Sequence, residues 1–197
     1  FDQGTALQPD YSGAWASLAS ARDNQGMAHA ANQAWLRCAL TYYHKRDLAQ
    51  ALQLLQRILV RDPGYMDAYI DIAAVLEELH QPAESMRYAV MLLKALQATV
   101  PGLPAILAML PENLLALEAA PLKPEHPELS LRVAQTLNNL GNSAMKLPDF
   151  ALAEQAYQLA HELAPAQALV SWNLSMLKLG RGDFSAGWQL YEARWDR

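Results

Sequence analysis

Apolar, small and turn-forming residues recur along the chain at a spacing of 34 residues. Three matched pairs show this spacing near the C-terminal end: Leu140 with Leu174, Phe150 with Phe184, and Tyr157 with Tyr191. Proline follows the same register, since Pro63 and Pro165 are 102 residues apart, which is three such steps. A fixed period of this length predicts a stack of similar small units, because one unit cannot bury its apolar face alone.

The composition indicates that these units are helical. Ala contributes 35 residues and Leu 34, whereas Val, Ile and Thr together contribute 14. Ala and Leu enter helices at little cost and β-branched residues fit strands, so a sheet-rich fold is disfavoured. An apolar fraction of 52% with 18% charged residues is sufficient for a buried core and excludes global disorder.

One period of the chain resembles the tetratricopeptide repeat (TPR), a helix-turn-helix unit of about 34 residues. The clearest copy combines the following residues: Leu140-Gly141, Asp149, Ala153, Tyr157 and Pro165. The resemblance implies an all-α fold, a right-handed superhelical solenoid of antiparallel helix pairs with a concave face lined by the first helix of each pair. We expect TPR units over residues 1–97 and 134–197 and a degenerate, proline-rich repeat and linker over 98–133, all within one solenoid.

The N-terminal part departs from the regular period. Residues 1–9 look like the end of a helix from an earlier unit, so the first unit is partial or irregular. Residues 28–44 fit both the second helix of one unit and the first helix of the next. The 54 residues from Pro9 to Pro63 equal 34 plus 20, so about one helix has been lost or gained, and the sequence leaves open which.

The stretch 98–133 holds six of the 11 prolines. Proline removes a backbone donor and clashes with the preceding helical turn, so long helices cannot cross this stretch. We expect short helices at about 104–110 and 112–119, followed by a loop to Pro127. One repeat period fits here, which predicts a degenerate repeat about which the two halves flex.

Charge and cysteine content limit the partners and the compartment. The formal net charge is −5 and no basic run exceeds Lys45-Arg46, which disfavours nucleic acid as a partner. A single cysteine, Cys38, favours a reducing, cytoplasmic location and is expected in the core. The longest apolar stretches are far shorter than the ~20 residues of a membrane span.

No catalytic or metal-binding pattern is evident in the sequence. The five histidines lack metal-ligand spacing, and no glycine-rich phosphate-binding motif is present. The sequence therefore predicts a chain that is not itself an enzyme and that needs no cofactor or metal ion.

The remaining candidates belong to the expected concave face. They are Asn138, Asn139, Asn142, Trp172, Asn173 and Met176, with Asp71 and Glu77 making the middle of the face acidic. Asparagine has no propensity advantage within a helix, so three asparagines within five residues call for an explanation. An amide donates and accepts hydrogen bonds, which suits it to bind the main chain of an extended peptide.

Two of these asparagines, Asn139 and Asn173, share one repeat position. They resemble the asparagine ladder in the groove of the O-GlcNAc transferase type of TPR array. The alternative, that the polar residues of this face cap turns or face water, stays open.

The last residues carry a second resemblance. Residues 179–195 contain Gly182-Asp183-Phe184, Gly187-Trp188, Tyr191-Glu192 and Arg194-Trp195. This pattern is similar to the final repeat that precedes the catalytic domain in bacterial TPR-containing glycosyltransferases. Trp188 and Trp195 are two helical turns apart, and this aromatic stripe predicts a covering element beyond Arg197.

Two functions therefore have to be compared. The first is a protein-protein interaction module that binds an extended peptide or protein partner in the concave groove, without chemistry of its own. The alternative is the acceptor-recognition arm of a larger bacterial glycosyltransferase whose catalytic domain lies beyond Arg197. A third, a lipoprotein or assembly scaffold of a secretion or polysaccharide-export machine, requires a signal upstream of Phe1. Self-association through uncapped terminal repeats is a further expectation.

Overall fold

A computed structural model of the 197-residue chain describes residues 11–122, 128–192 and 195. These residues form eleven helices: α1 Ser12–Asn24, α2 Ala28–His44, α3 Leu48–Arg61, α4 Met66–Glu78, α5 Pro82–Leu96, α6 Leu103–Leu107, α7 Glu112–Leu115, α8 Leu129–Lys146, α9 Phe150–Leu163, α10 Ala168–Gly180 and α11 Phe184–Tyr191. The expected helix end at residues 1–9 and the end of the loop before Pro127 lie outside the described residues.

The hairpin turns repeat their chemistry at the 34-residue period. Asp47, Asp149 and Asp183 each begin a second helix as its N-cap, where the carboxylate accepts a hydrogen bond from a backbone N–H three residues later. Such a cap contributes about 1 kcal/mol to stability. Gly182 has a φ of 84°, which a side chain would oppose, so Gly182-Asp183 is a helix-turn-helix connection.

Close approach within a hairpin depends on small residues. Gly141 in α8 faces the ring of Tyr157 in α9, and a Cβ at this position would overlap the ring. The hydroxyl of Tyr157 then reaches across to α8, where it donates to Asn142 Oδ1 at 2.7 Å. The Leu-Gly pair of the repeat therefore provides the space that lets a large aromatic residue join the two helices.

Residues 11–61 form three helices where two complete units would have four. Helix α2 packs against α1 on one side and against α3 on the other, so it serves as the second helix of one pair and the first of the next. Asp23 in α1 accepts a hydrogen bond from Trp35 Nε1 at 3.1 Å and forms an ion pair with Arg61 in α3. The uncertainty over residues 28–44 is thereby resolved, because one helix fulfils both functions.

The proline-rich stretch differs from the expected degenerate repeat. Helix α8 packs directly against α4 and α5, as the first helix of the next unit would. Residues 97–122, which we call the insert, therefore leave the stack. The helices in the insert are shorter than expected, and residues 129–133, assigned to the linker, form the first turns of α8.

The insert is fastened to the outside of the stack. Its short helix α6 packs against both α5 and α9, and buries an apolar side: Leu103, Ile106 and Leu107. Lys94 Nζ in α5 donates to the carbonyl of Leu115 at 2.6 Å, and Ala120 N donates to the carbonyl of Met91 at 2.9 Å. These contacts explain how a proline-rich segment without long helices still has a defined place.

The core is divided between two apolar clusters that meet at α4. The first runs from Leu18 to Leu76, and the second from Met66 to Leu177. Because α4 contributes to both clusters and α8 packs directly on it, the halves of the chain are joined by core contacts. The expected flexing of the two halves stays a prediction. None of the helices formed by residues 11–122 and 128–192 has the length and apolar character needed to cross a bilayer.

Candidate functional site: a concave groove

The first helices of successive hairpins enclose a groove of about 760 Å³ on one side of the stack. Helices α4, α8 and α10 form most of it, and Tyr43 of α2, His80 after α4 and Tyr157 of α9 complete the lining. Six of the eight predicted site residues meet here: Glu77, Asn138, Asn139, Asn142, Asn173 and Met176. The other two, Asp71 and Trp172, do not line the groove.

Three asparagine amides form a connected group on the groove floor. Asn173 Nδ2 in α10 donates to Asn138 Oδ1 at 2.8 Å and to Asn142 Oδ1 at 3.3 Å, both in α8. Asn142 Oδ1 also accepts from the hydroxyl of Tyr157. In this arrangement the amide donors of Asn138 and Asn142 and the carbonyl of Asn173 have no hydrogen-bond partner among the described residues.

Asn139 has a different function from the one expected. It is 8% exposed, and its Nδ2 donates to the carbonyl of Ile70 in α4 at 3.1 Å. A buried amide that satisfies a backbone carbonyl of the neighbouring helix is a structural contact. Asn173, at the equivalent position in α10, likewise reaches back to the preceding first helix, so the short ladder joins successive hairpins.

The acidic character expected for the middle of the groove is neutralised by paired cations. Glu77 is 7% exposed, and its Oε2 lies 2.6 Å from Lys146 Nζ in α8. Its other carboxylate oxygen accepts a hydrogen bond from Ser143, also in α8. Glu78 pairs with Arg46 at 2.6 Å. Together, burial and the nearby Glu77 charge raise the pKa of Tyr157, which therefore stays protonated as a donor.

Asp71 lies on α4 away from the groove lining and is half-buried. Burial raises its pKa to about 7, and the charge of Asp67 contributes in the same direction. Arg132 and Arg37 oppose this shift. Asp67 itself pairs with Arg132 of α8, with 3.0 Å between Oδ1 and Nη1. The sequence register placed Asp71 on the correct helix but could not distinguish the groove from the contact between helices.

Trp172 contributes to the last hairpin instead of the groove. Its ring stacks on Tyr191 of α11, with 5.0 Å between ring centroids and 29° between planes. Trp172 points about 100° away from Asn173, toward α11, and the contact with Tyr191 holds its ring outside the groove lining. The prediction that Trp172 lines the groove is therefore wrong.

The apolar side of the groove was largely missed by the sequence analysis. Met176 and Leu169 of α10 are 48% and 52% exposed and line the groove together with Met145 of α8. Leu169 precedes Met176 by seven residues, two helical turns, and this spacing could have placed it on the same face. The groove thus combines an amide floor with an exposed apolar side.

Among the described residues, no group of three or more His, Cys, Asp or Glu side chains is arranged to hold a metal ion. Cys38 is buried, and its thiol donates to the carbonyl of Ser12 at 3.3 Å. Burial raises the pKa of the thiol, which makes it a poor nucleophile.

Solved structures of two other proteins align with most of this chain. MamA from Desulfovibrio magneticus RS-1 aligns over 92% of this chain and 91% of its own, with 13% identity and a TM-score of 0.55. Pseudomonas aeruginosa PilF aligns over 92% and 74%, with 14% identity and a TM-score of 0.57. Both are TPR proteins.

The chain has the TPR fold. Identities this low establish the TPR architecture alone, and no protein-family model or curated protein sequence matches the chain. The all-α TPR solenoid expected from the repeat is confirmed. The resemblance of residues 179–195 to glycosyltransferase repeats stays a prediction.

Proposed function

We propose that this TPR chain is a protein-protein interaction module that binds an extended segment of a partner protein in the groove formed by α4, α8 and α10. It performs no chemistry of its own. The observation that supports this most directly is the composition of the groove, in which available amide groups lie beside exposed apolar side chains. Both features suit a peptide, which has a polar main chain and apolar side chains.

The amide floor is suited to the main chain of the partner. The free donor of Asn142 can bind a backbone carbonyl, and the free carbonyl of Asn173 can accept from a backbone N–H. Asn138 is 5% exposed and orients Asn173 from below. Because their other amide atoms are bonded to each other and to Tyr157, the three side chains are already oriented. Preorganised groups lose little rotamer freedom on binding, which favours affinity.

The apolar side is suited to a bulky uncharged side chain. Met145, Leu169 and Met176 form this side, and methionine adapts its shape to different apolar partners. The nearby carboxylates of Glu77 and Glu78 are already paired with Lys146 and Arg46, so they offer little net charge to a ligand. We therefore propose a neutral extended segment with an apolar side chain as the preferred occupant.

A peptide array tests this proposal directly. The 197-residue chain is titrated against immobilised short peptides of systematically varied sequence, and saturable binding to uncharged apolar peptides is expected. Met176→Glu and Leu169→Glu place a charge on exposed groove positions without touching the core, so they should abolish binding and leave the unfolding transition unchanged.

Val60→Glu is the matched control, because Val60 is an 83% exposed apolar residue of α3 outside the groove lining. It should bind peptides like the wild type. Absence of saturable binding, or binding that survives both groove substitutions, would contradict the proposal. Asn139→Ala is unsuitable as a binding probe because its amide supports α4.

The alternative proposal is an acceptor-recognition arm of a glycosyltransferase, for which the same groove would hold the acceptor. The motif in residues 179–195 supports it, together with the exposure of Trp188 and Trp195, at 56% and 73%. Sequencing the gene downstream of codon 197 separates the two proposals. A nucleotide-sugar-dependent transferase domain in frame is expected from the alternative, and an immediate stop codon or an unrelated domain would contradict it.

A further inference from the structure

The concave groove ends one helical turn from an unpaired carboxylate, that of Asp71 in α4. Ala74 and Glu78 line the groove, and Asp71 lies on the same side of the helix, three residues before Ala74. The Asp71 carboxylate is half-buried and forms no hydrogen bond or ion pair with any residue in the described ranges 11–122 and 128–192. A segment bound in the groove therefore lies about 5 Å, one helical turn, from this carboxylate.

The repeat register explains why Asp71 is unpaired. Asp71, Asn139 and Asn173 share one repeat position, since they are separated by multiples of 34 residues. Asn139 uses its amide to donate to the carbonyl of Ile70 in the preceding first helix. Asn173 donates in the same way to Asn138 Oδ1. An ionised carboxylate cannot donate, so Asp71 makes no such contact with α2 and its acceptor atoms stay open.

A second open acceptor belongs to Gln135 of α8. Helices α4 and α8 are first helices of successive hairpins and run in the same direction, and Arg132 pairs with Asp67 at 3.0 Å. Gln135 and Asp71 each lie one turn further along their helices, so they are at the same level of the concave face. The Oε1 atom of Gln135 is buried and has no hydrogen-bond partner among the described residues. Because both open groups are acceptors, a suitable occupant must supply donors.

The charges near Asp71 favour a cation as this donor. The Asp67 carboxylate is already paired with Arg132, and the exposed Arg37 of α2 acts on Asp71 through its charge without contacting it. Burial raises the pKa of Asp71 to about 7, which shows that the ionised carboxylate lacks a stabilising partner. A divalent metal ion suits the site poorly, since it needs several oxygen ligands and the described part of the chain brings no three His, Cys, Asp or Glu side chains together here.

We propose that Asp71 and Gln135 bind a lysine or arginine side chain of the partner segment, beside the part of the segment that occupies the groove. This preference rests on the proposed function and makes it more specific: the segment is neutral and apolar where it crosses α8 and α10, and basic where it passes α4. The cationic group donates to the Asp71 carboxylate and to Gln135 Oε1. Such charge-assisted hydrogen bonds are roughly twice as strong as neutral ones.

Peptide titration of the 197-residue chain tests this preference. The probes are short peptides of Gln, Leu and Met, each made with Lys, norleucine or Glu at one of its two ends. Norleucine keeps the alkyl chain of lysine and removes its charge. At one of the two ends, Lys should tighten binding about tenfold relative to norleucine, and Glu should weaken it. Asp71→Asn keeps the shape of the side chain and should bring the ratio of the Lys and norleucine affinities close to one.

Two further variants separate this site from the overall negative charge of the chain. Glu84→Gln removes a negative charge from α5, where the side chain is 52% exposed and outside the groove lining, and should leave the preference for Lys unchanged. Arg37→Gln removes the positive charge that acts on Asp71 and should increase the preference. A merely structural effect of the substitutions would not move the preference in opposite directions.

Equal binding of the Lys and norleucine peptides would overturn this inference and leave the proposed function standing. A preference for Lys that survives Asp71→Asn, or that Glu84→Gln reduces equally, would also overturn it, because the net charge of the chain would then be the cause. Failure of every peptide to bind, with or without Lys, would overturn both the inference and the proposed function.

Discussion

The contact of α4 with α8 and the contact of α9 with α10 both join successive hairpins, but they differ in how polar groups are used. At the first, Glu77 and Ser143 are buried, at 7% and 0% exposure, and Asn139 bonds a backbone carbonyl. At the second, the side chains of Glu154 and Lys178 keep about a quarter of their surface in water, at 24% and 21% exposure.

The two junctions also differ in burial on their outer sides, where the first junction is again the more buried one. Val90 and Leu93 of α5 are buried in the region that the insert covers. The positions 68 residues later, Gln158 and His161 of α9, line an open cavity of about 630 Å³. The covered positions are apolar, whereas the uncovered cavity mixes apolar side chains such as Leu174 with the polar Gln158 and His161. The insert therefore acts as part of the first junction.

The largest expected difference between the junctions concerns their carboxylates. Glu77→Ala leaves the buried Ser143 without its partner and removes the counter-charge of Lys146, whose side chain is 42% exposed, so it should lower the free energy of unfolding by about 2–4 kcal/mol. Glu154→Ala removes two partly exposed ion pairs, with Lys178 and Arg181, and should cost about 1 kcal/mol. Urea unfolding followed by circular dichroism measures both losses of free energy. Equal losses would contradict the inferred difference between the two junctions.

The insert should contribute nearly as much to the free energy of unfolding as the buried carboxylate of Glu77. Leu103 of α6 is fully buried, so Leu103→Ala should lower the free energy of unfolding by about 2–4 kcal/mol. Leu115→Ala in α7, where the side chain is 39% exposed, serves as the control and should cost less than about 1 kcal/mol. If both substitutions were neutral, the insert would be a loop outside the cooperative structure.

The equivalent residues Asn139 and Asn173 should differ by a smaller amount in their contribution to stability. Asn139→Ala removes a buried hydrogen bond between two helices and leaves a small cavity, so about 1–3 kcal/mol of stability should be lost. Asn173 is half-buried beside the open groove, where water can replace it, and Asn173→Ala should cost about 0.5–1 kcal/mol. Chemical denaturation gives both values, and a greater loss for Asn173→Ala would reverse their assigned functions.

The last expected difference is a pH dependence at the first junction. The pKa of Asp71 is about 7 in the folded chain, above its ordinary value of 3.8, so the folded state holds this proton more tightly than the unfolded state. The contribution of Asp71 to stability should therefore fall as the pH rises from about 4 to 7. Asp71→Asn cannot ionise, so its stability relative to wild type should rise over that interval, by up to about 4 kcal/mol for the full shift of its pKa.

Unfolding of Asp71→Asn and wild type at several pH values checks this prediction. Asp149→Asn is the control, because Asp149 caps α9 and carries no comparable burial. It should show no gain over the same interval. A stability difference between Asp71→Asn and wild type that stays constant with pH would contradict the assignment.

The sequence by itself determined the elements and their register. Apolar spacing, the capping residues Asp47, Asp149 and Asp183, and the Gly141 contact act within one hairpin, over short separations along the chain. Local propensities and turn chemistry decide such features, so the sequence alone predicted the TPR architecture. Six of the eight candidate residues that it indicated line one groove.

Only the tertiary structure decided which hairpins are neighbours and what the polar residues contact. Asn139 and Ile70 are 69 residues apart, and their contact exists because the insert leaves the stack and lets α8 pack on α4. The repeat period could not reveal this, because an inserted segment of about one period keeps later units in register. The same limit applies to Asp71 and Trp172, since the period specifies a helix face but not which neighbour covers it.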